Sequence, residues 1–326
     1  MKRPRLLALV TLVAVVLGAC GSDAEPAETT GTDPAQPGEQ LAVVVTTTIW
    51  GDIVSNVTRG DAAVEVLFPI GADPHDYQLS AAQAATMQKA DLVVVNGLAL
   101  EEGLLDVIES LEADGANVLE VAGLLDPIEF GEDGGHSDED GDHDEEGDHE
   151  HESFDPHIWM DPLRVAGAVE LIAAELTALD PSVDWEASAI SYADQLRALD
   201  AEVVSMLTAV PNERRKLVTN HEAFGYFVQR YGLDLVGTVV PGGATLADPS
   251  SAELAQLIDV MKDESINVVF AETIEPSALA DAVAAEIDGA TVIELFTGSL
   301  GESGSGAETY IDLMRTNAMR IADALS

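Results

Sequence analysis

Short β-branched runs alternate with longer helical periods along most of this chain, and that alternation restricts the fold to parallel sheets layered with helices. Residues 42–46, 64–68 and 92–95 read as buried strands, with helices predicted near 49–59, 80–89 and 101–112. A second block repeats the alternation: strands at 216–219, 233–239, 268–271 and 292–295, helices near 223–231, 251–264, 276–287 and 309–325. Ser80 with Gln83, and Ser250 with Glu253, have the spacing of capping boxes, which fix two of the helix starts. Between the blocks the pattern is helical over 163–179, breaks at Asp180-Pro181, and resumes over 185–210. A helix of about 25 residues spans about 40 Å, enough to cross between two lobes. The expected architecture is therefore α/β, two βα lobes with parallel sheets joined by one long helix. The first lobe covers 41–183, the linking helix 184–210 and the second lobe 211–326.

The first forty residues do not belong to that pattern. Lys2, Arg3 and Arg5 precede an apolar stretch over 6–16, followed by Leu17-Gly18-Ala19-Cys20. This has the build of a secretory signal, residues 1–20, and is too short for a spanning helix. Small residues ahead of a cysteine resemble the lipobox of bacterial lipoproteins, in which the cysteine, here Cys20, is lipidated and becomes the new N-terminus. Cys20 is the only cysteine, which excludes an internal disulfide and a thiolate metal site in the mature chain. Two acyl chains, each contributing about 0.8 kcal/mol per buried CH₂, would make a stable membrane anchor. Residues 21–40 are rich in Pro, Gly, Thr and acids without apolar periodicity, and read as a disordered tether of roughly 25 Å. The expected location is the extracytoplasmic face of the cell membrane, with the lipid as the contact to it.

Charge narrows the partners. The chain carries 60 acidic and 14 basic residues, which argues against nucleic acid and for a surface that concentrates cations. The run 131–152 holds twelve of the acids together with His136, His143, His149 and His151, and no Lys or Arg. Having no apolar residue, it cannot fold alone.

The other three histidines are far apart: Asp73-Pro74-His75-Asp76-Tyr77, Phe154-Asp155-Pro156-His157-Ile158-Trp159 and Thr219-Asn220-His221-Glu222-Ala223-Phe224. His75 and His221 follow predicted strands, and His157 lies in a proline-containing turn before a helix. Loops beyond the carboxyl ends of parallel strands are where open α/β sheets bind ligands. Each histidine has neighbouring acids, Asp73, Asp76, Asp155 or Glu222, able to orient an imidazole. Three imidazoles with a fourth open position suit Zn²⁺.

At these residues the chain resembles the solute-binding lipoproteins of bacterial ABC transporters for zinc and manganese. The resemblance covers essentially all of 41–326. It rests on Gly71-Ala72-Asp73-Pro74-His75-Asp76-Tyr77, Asp155-Pro156-His157-Ile158-Trp159-Met160, and His221-Glu222-Ala223-Phe224-Gly225-Tyr226-Phe227 followed by Tyr231-Gly232-Leu233. Phe270-Ala271-Glu272, Leu295-Phe296-Thr297-Gly298-Ser299-Leu300, Tyr310 and Asn317 extend it. The resemblance implies a rigid linking helix, a metal held at the lobe interface by His75 and His157 from the first lobe and His221 from the second, and delivery to a permease with its ATPase. Manganese-type members usually carry Glu where His221 stands and Asp where Gly298 stands. Three imidazoles favour zinc over that harder ion. Gly298 removes the carboxylate expected as fourth ligand, leaving water or Glu272 for that position. Zinc-type relatives commonly have a mobile His- and acid-rich insertion, which gives 131–152 the part of a weak metal collector.

The expected function is extracytoplasmic capture of Zn²⁺ as cargo by a monomeric component of an ABC import system, with manganese the alternative cargo. A zinc hydrolase and an adhesin are the remote alternatives. Glu222 or Glu272 could be named as a base, but no nucleophile elbow, phosphate loop or HExxH accompanies the histidines.

Overall fold

The computed structural model describes residues 40–130, 154–243, 245 and 247–326. The signal segment with Cys20, nearly all of the 21–40 tether, and the acidic run with His136, His143, His149 and His151 lie outside the described residues.

The chain runs β1 (Ala42–Val45), α1 (Thr48–Thr58), β2 (Ala63–Val66), α2 (Ala81–Met87), β3 (Leu92–Val95), α3 (Leu105–Ala113) and β4 (Val118–Glu120). Two helices follow, α4 (Pro162–Leu179) and α5 (Trp185–Thr208). The second block is β5 (Lys216–Thr219), α6 (Gly225–Tyr231), β6 (Asp234–Thr238), α7 (Ser251–Asp263), β7 (Val268–Glu272), α8 (Ala278–Ala285), β8 (Thr291–Leu295) and α9 (Tyr310–Leu325). Both capping boxes are present, with Ser80 and Ser250 each accepting from the backbone N–H three residues on.

Each lobe has its own four-stranded sheet, ordered β2-β1-β3-β4 in the first and β6-β5-β7-β8 in the second, and every strand pair is parallel. The period of two along the strands decides which layer each residue joins. Val43 and Val45 of β1, and Leu92 and Val94 of β3, face a central core that also contains α1, α4 and α5. Val44, Val93 and Val95 face outward onto Met87, Leu104, Ile108 and Leu111. The second sheet repeats this: Leu217, Val268 and Phe270 point to the central core, Val218, Val269 and Ala271 to α7 and α8. Strands buried on both faces explain the unbroken Val-rich runs.

The strand β4 was not foreseen. It has three residues of which only Leu119 is buried, so it offers too little pattern to separate from a loop.

Helix α5 is the spine. It packs along α4, α1 and α9, elements of both blocks, and buries Trp185, Tyr192, Leu196, Leu199 and Val203. Arg230 of α6 grips Asp200 of α5 through two hydrogen bonds of 2.8 and 2.6 Å, and lies 4.0 Å from Asp161, the N-cap of α4. Asp200 is buried, and its charge is tolerated there because it is paired.

The lobes also meet directly through polar contacts. Trp159 donates its indole N–H to Thr297 O at 3.0 Å, and Tyr310 donates its hydroxyl to Trp159 O at 2.6 Å. Tyr226 donates to Asp155 O at 2.6 Å, and Gly71 N donates to Ser299 Oγ at 2.8 Å. These bonds hold the two sheets with their strand carboxyl ends toward a common cleft.

Candidate metal centre

The strand order places a switch point between β1 and β3 in one lobe and between β5 and β7 in the other, and the loops there line the cleft. His75 stands in the loop between β2 and α2, His221 two residues past β5, and His157 just before a short 3₁₀ turn, Ile158–Met160, that leads into α4. All three are buried.

Their rings converge. His75 Nε2 lies 3.2 Å from His157 Nε2, and His221 Nε2 lies 3.1 Å from the same atom. Among the described residues these three form the one set of His, Cys, Asp and Glu side chains whose ligand atoms all lie within 4.8 Å of one another. A tetrahedral ion with nitrogen at 2.0–2.1 Å separates its ligands by about 3.3 Å, so a single ion fits among these nitrogens with little movement.

Carboxylates hold two of the rings from behind. Asp155 Oδ1 accepts from the His157 backbone at 2.9 Å and lies 2.8 Å from His157 Nδ1. Glu272 Oε1 accepts from the His221 backbone at 3.1 Å and lies 2.5 Å from His221 Nδ1. Such pairs fix the ring plane and direct Nε2 into the site. Glu272, expected as a possible fourth ligand, is here engaged behind His221. Its second oxygen accepts from Thr297 Oγ1, so both oxygens have hydrogen-bond partners and Glu272 backs His221. The reason is register: Thr219 pairs with Phe270 across β5 and β7, so the residues two further along each strand, His221 and Glu272, lie side by side.

Gly298 also has a steric explanation. A Cβ there would sit 2.6 Å from Pro74 Cδ and 2.9 Å from Ile274 Cδ1, so the wall beside the His75 loop has no room for a longer side chain.

Of the remaining acids, Asp73 accepts from the His75 backbone through Oδ1 at 3.0 Å and from Thr245 through Oδ2, bridging the lobes. Glu222 pairs its backbone N–H with Gly242 O. Sequence reading missed Glu275, whose carboxylate accepts from Asn220 beside His221.

Burial and charge set the protonation pattern. Burial holds His157 well below the ordinary imidazole value, and the neighbouring His221 and His75 add to that, so His157 is neutral. Burial opposes charge on His221 too, but the attraction and hydrogen bond of Glu272, with help from Glu275 and Asp73, outweigh it and raise its pKa. Glu272 is correspondingly lowered, its burial overcome by His221 and Thr297. Burial pushes Asp155 up to about 7, and burial together with Glu272 and Asp73 pushes Glu275 to about 7.

Residues 43–324 match the family model described as zinc-uptake complex component A, periplasmic, ZnuA. The chain is 29% identical over 328 residues to the manganese-binding lipoprotein MntA of Halalkalibacterium halodurans, covering 100% of both chains. It is 29% identical over 322 residues to the high-affinity zinc uptake system protein ZnuA of Bacillus subtilis, covering 98% of this chain and 97% of that one. The solved structure of the periplasmic zinc-binding protein TroA of Treponema pallidum superposes with a TM-score of 0.76 at 29% identity, covering 89% of this chain and 100% of that chain. Two of these relatives are named for zinc and one for manganese. The chain belongs to the ZnuA family of metal-binding solute-binding proteins of ABC importers.

Proposed function

We propose that this protein captures Zn²⁺ as cargo outside the cytoplasm, binds it through His75, His157 and His221, and hands it to an ABC permease driven by its ATPase. The observation that carries the reading is the convergence of three buried Nε2 atoms at 3.1–3.2 Å, two of them backed by carboxylates. Relatives named for zinc and for manganese both exist, so the donor set has to decide. Three neutral nitrogen donors with no carboxylate among them favour the borderline ion over the harder one. Two ligands come from the block before α5 and one from the block after it, which supports a division into lobes at 41–183 and 211–326 around the linking helix. Cargo then bridges the lobes, and separating them releases it.

The relatives named as lipoproteins support Cys20 as the lipid anchor, with 21–40 as tether. No helix among the described residues is long and apolar enough to cross a membrane. Residues 131–152, with four histidines and twelve acids, would gather cations at low affinity.

Competitive titration of the metal-free chain with zinc and manganese tests the assignment. One tight equivalent of zinc is expected, bound at least about tenfold more strongly than manganese, as the order of divalent affinities for nitrogen sites requires. Manganese binding as tight as zinc would overturn it.

A further inference from the structure

The three rings are not supported alike. His157 Nδ1 has Asp155 at 2.8 Å and His221 Nδ1 has Glu272 at 2.5 Å, but His75 Nδ1 is buried with no protein group within hydrogen-bonding distance. The carboxylate facing it is Glu102, whose Oε1 stands 3.7 Å away. The ring nitrogen it faces is Nδ1, not the Nε2 that points at His157, so it is placed to orient the ring.

The need for such a partner depends on the cargo. A neutral imidazole can keep its single proton on either nitrogen. Once Nε2 binds a metal, the proton must sit on Nδ1, which becomes a buried donor. A buried donor without an acceptor is costly, so the bound state calls for a carboxylate that the free state can do without.

The fold holds Glu102 in reach. It opens a 3₁₀ turn, Glu102–Leu104, directly after Glu101. The Glu101 carboxylate is buried and accepts from Thr46 Oγ1 at 2.7 Å, Asn96 N at 2.8 Å and Gly97 N at 3.3 Å, which pins the turn to the switch point of the first sheet. On its other side Gly103 lies so close to the segment after His75 that a Cβ would sit 2.4 Å from Tyr77 O. The backbone of the turn is thus fixed at both ends. The Glu102 side chain is 41% exposed, against 2% for Asp155 and 0% for Glu272, and needs to advance only about 1 Å to reach normal hydrogen-bond length.

We infer that Glu102 is the positioning residue for His75: it closes onto Nδ1–H when metal binds Nε2 and so sets how slowly the cargo leaves. This rests on the three-histidine zinc reading and names the part of the site that can be reached from solvent. Because its carboxylate is the exposed one of the three, His75 is the ligand whose hold is loosened first.

The test uses the whole chain loaded with zinc, as parent, Glu102→Ala and Glu102→Gln. Zinc dissociation into excess chelator is expected to be about tenfold faster or more in Glu102→Ala, the usual scale for losing an outer partner of a ligating histidine. Glu102→Gln, which keeps a carbonyl acceptor, falls between that variant and the parent. In proton NMR of ¹⁵N-histidine-labelled, zinc-loaded protein, the His75 Nδ1–H signal of Glu102→Ala should move upfield or be lost to exchange. Those of His157 and His221 should stay in place, which a general loosening of the fold would not allow. Parental dissociation rates in both variants, or an unmoved His75 signal, would overturn the inference. A parent chain that holds no zinc would remove the functional reading beneath it and the inference with it.

Discussion

His221→Ala should lose most of the zinc-dependent rise in melting temperature. A ligand that binds only the folded state stabilises it by RT ln(1 + [L]/Kd), about 4 kcal/mol at a thousandfold excess over Kd. For a chain of this size that corresponds to a shift of about 10 °C. Removing His221 takes away the one imidazole contributed by the second block, together with the bridge between the two sheets. A hundredfold loss of affinity leaves about 1.4 kcal/mol and a shift of about 3 °C. The metal-free variant also melts lower, because Glu272 is wholly buried and loses the partner that lowers its pKa. The informative quantity is therefore the difference between zinc-loaded and metal-free melting, taken by calorimetry at one zinc concentration. A variant with the parental difference would exclude His221 as a ligand.

Zinc affinity should fall steeply as pH drops through neutrality. His221 has a pKa raised above the ordinary 6.5, so lowering the pH increases the fraction that carries a proton, and that proton occupies a ring that must be neutral to bind metal. The sign follows: below the folded pKa each pH unit costs up to about tenfold in apparent affinity for one displaced proton. His157 adds nothing near neutrality because burial already keeps it neutral. Between pH 7.5 and 5.5 the apparent affinity should therefore fall, by up to about tenfold per unit over the part of that range below the His221 pKa. Calorimetry in two buffers of different ionisation enthalpy should find protons released on zinc binding, in a number that rises as the pH is lowered. Affinity that is flat over this range would mean that the His221–Glu272 pair does not hold a proton in the free protein.

Much of this arrangement was legible in the sequence, and what was not has specific causes. The buried strands announced themselves because a strand covered on both faces is apolar at every position, as at Leu92–Val95. The helix starts at Ser80 and Ser250 were marked by side chains that satisfy backbone donors locally. The three histidines stood out because each sat in a loop beside an acid, and one of those acids, Asp155, does orient its neighbour.

The pairing of Glu272 with His221 was not visible because it comes from the register between β5 and β7, strands separated by about fifty residues. Only the parallel pairing shows that Thr219-Asn220-His221 and Phe270-Ala271-Glu272 end side by side. Gly298 was visible as a departure, but its reason, the nearby Pro74 and Ile274, belongs to two different loops. Glu101 and Glu102 looked like ordinary acids at a helix start, whereas one is buried as an anchor and the other faces a ligand ring. Side chains that act through another side chain leave no periodic signal.

The central claim is that one zinc ion is held by three imidazoles drawn from both sides of the long helix. Zinc-edge X-ray absorption of the loaded chain addresses it most directly. The expected first shell is three imidazole nitrogens at 2.0–2.1 Å with one further light atom, and the multiple-scattering pattern of imidazole rings. A shell of six oxygens, or one with fewer than three imidazoles, would contradict it.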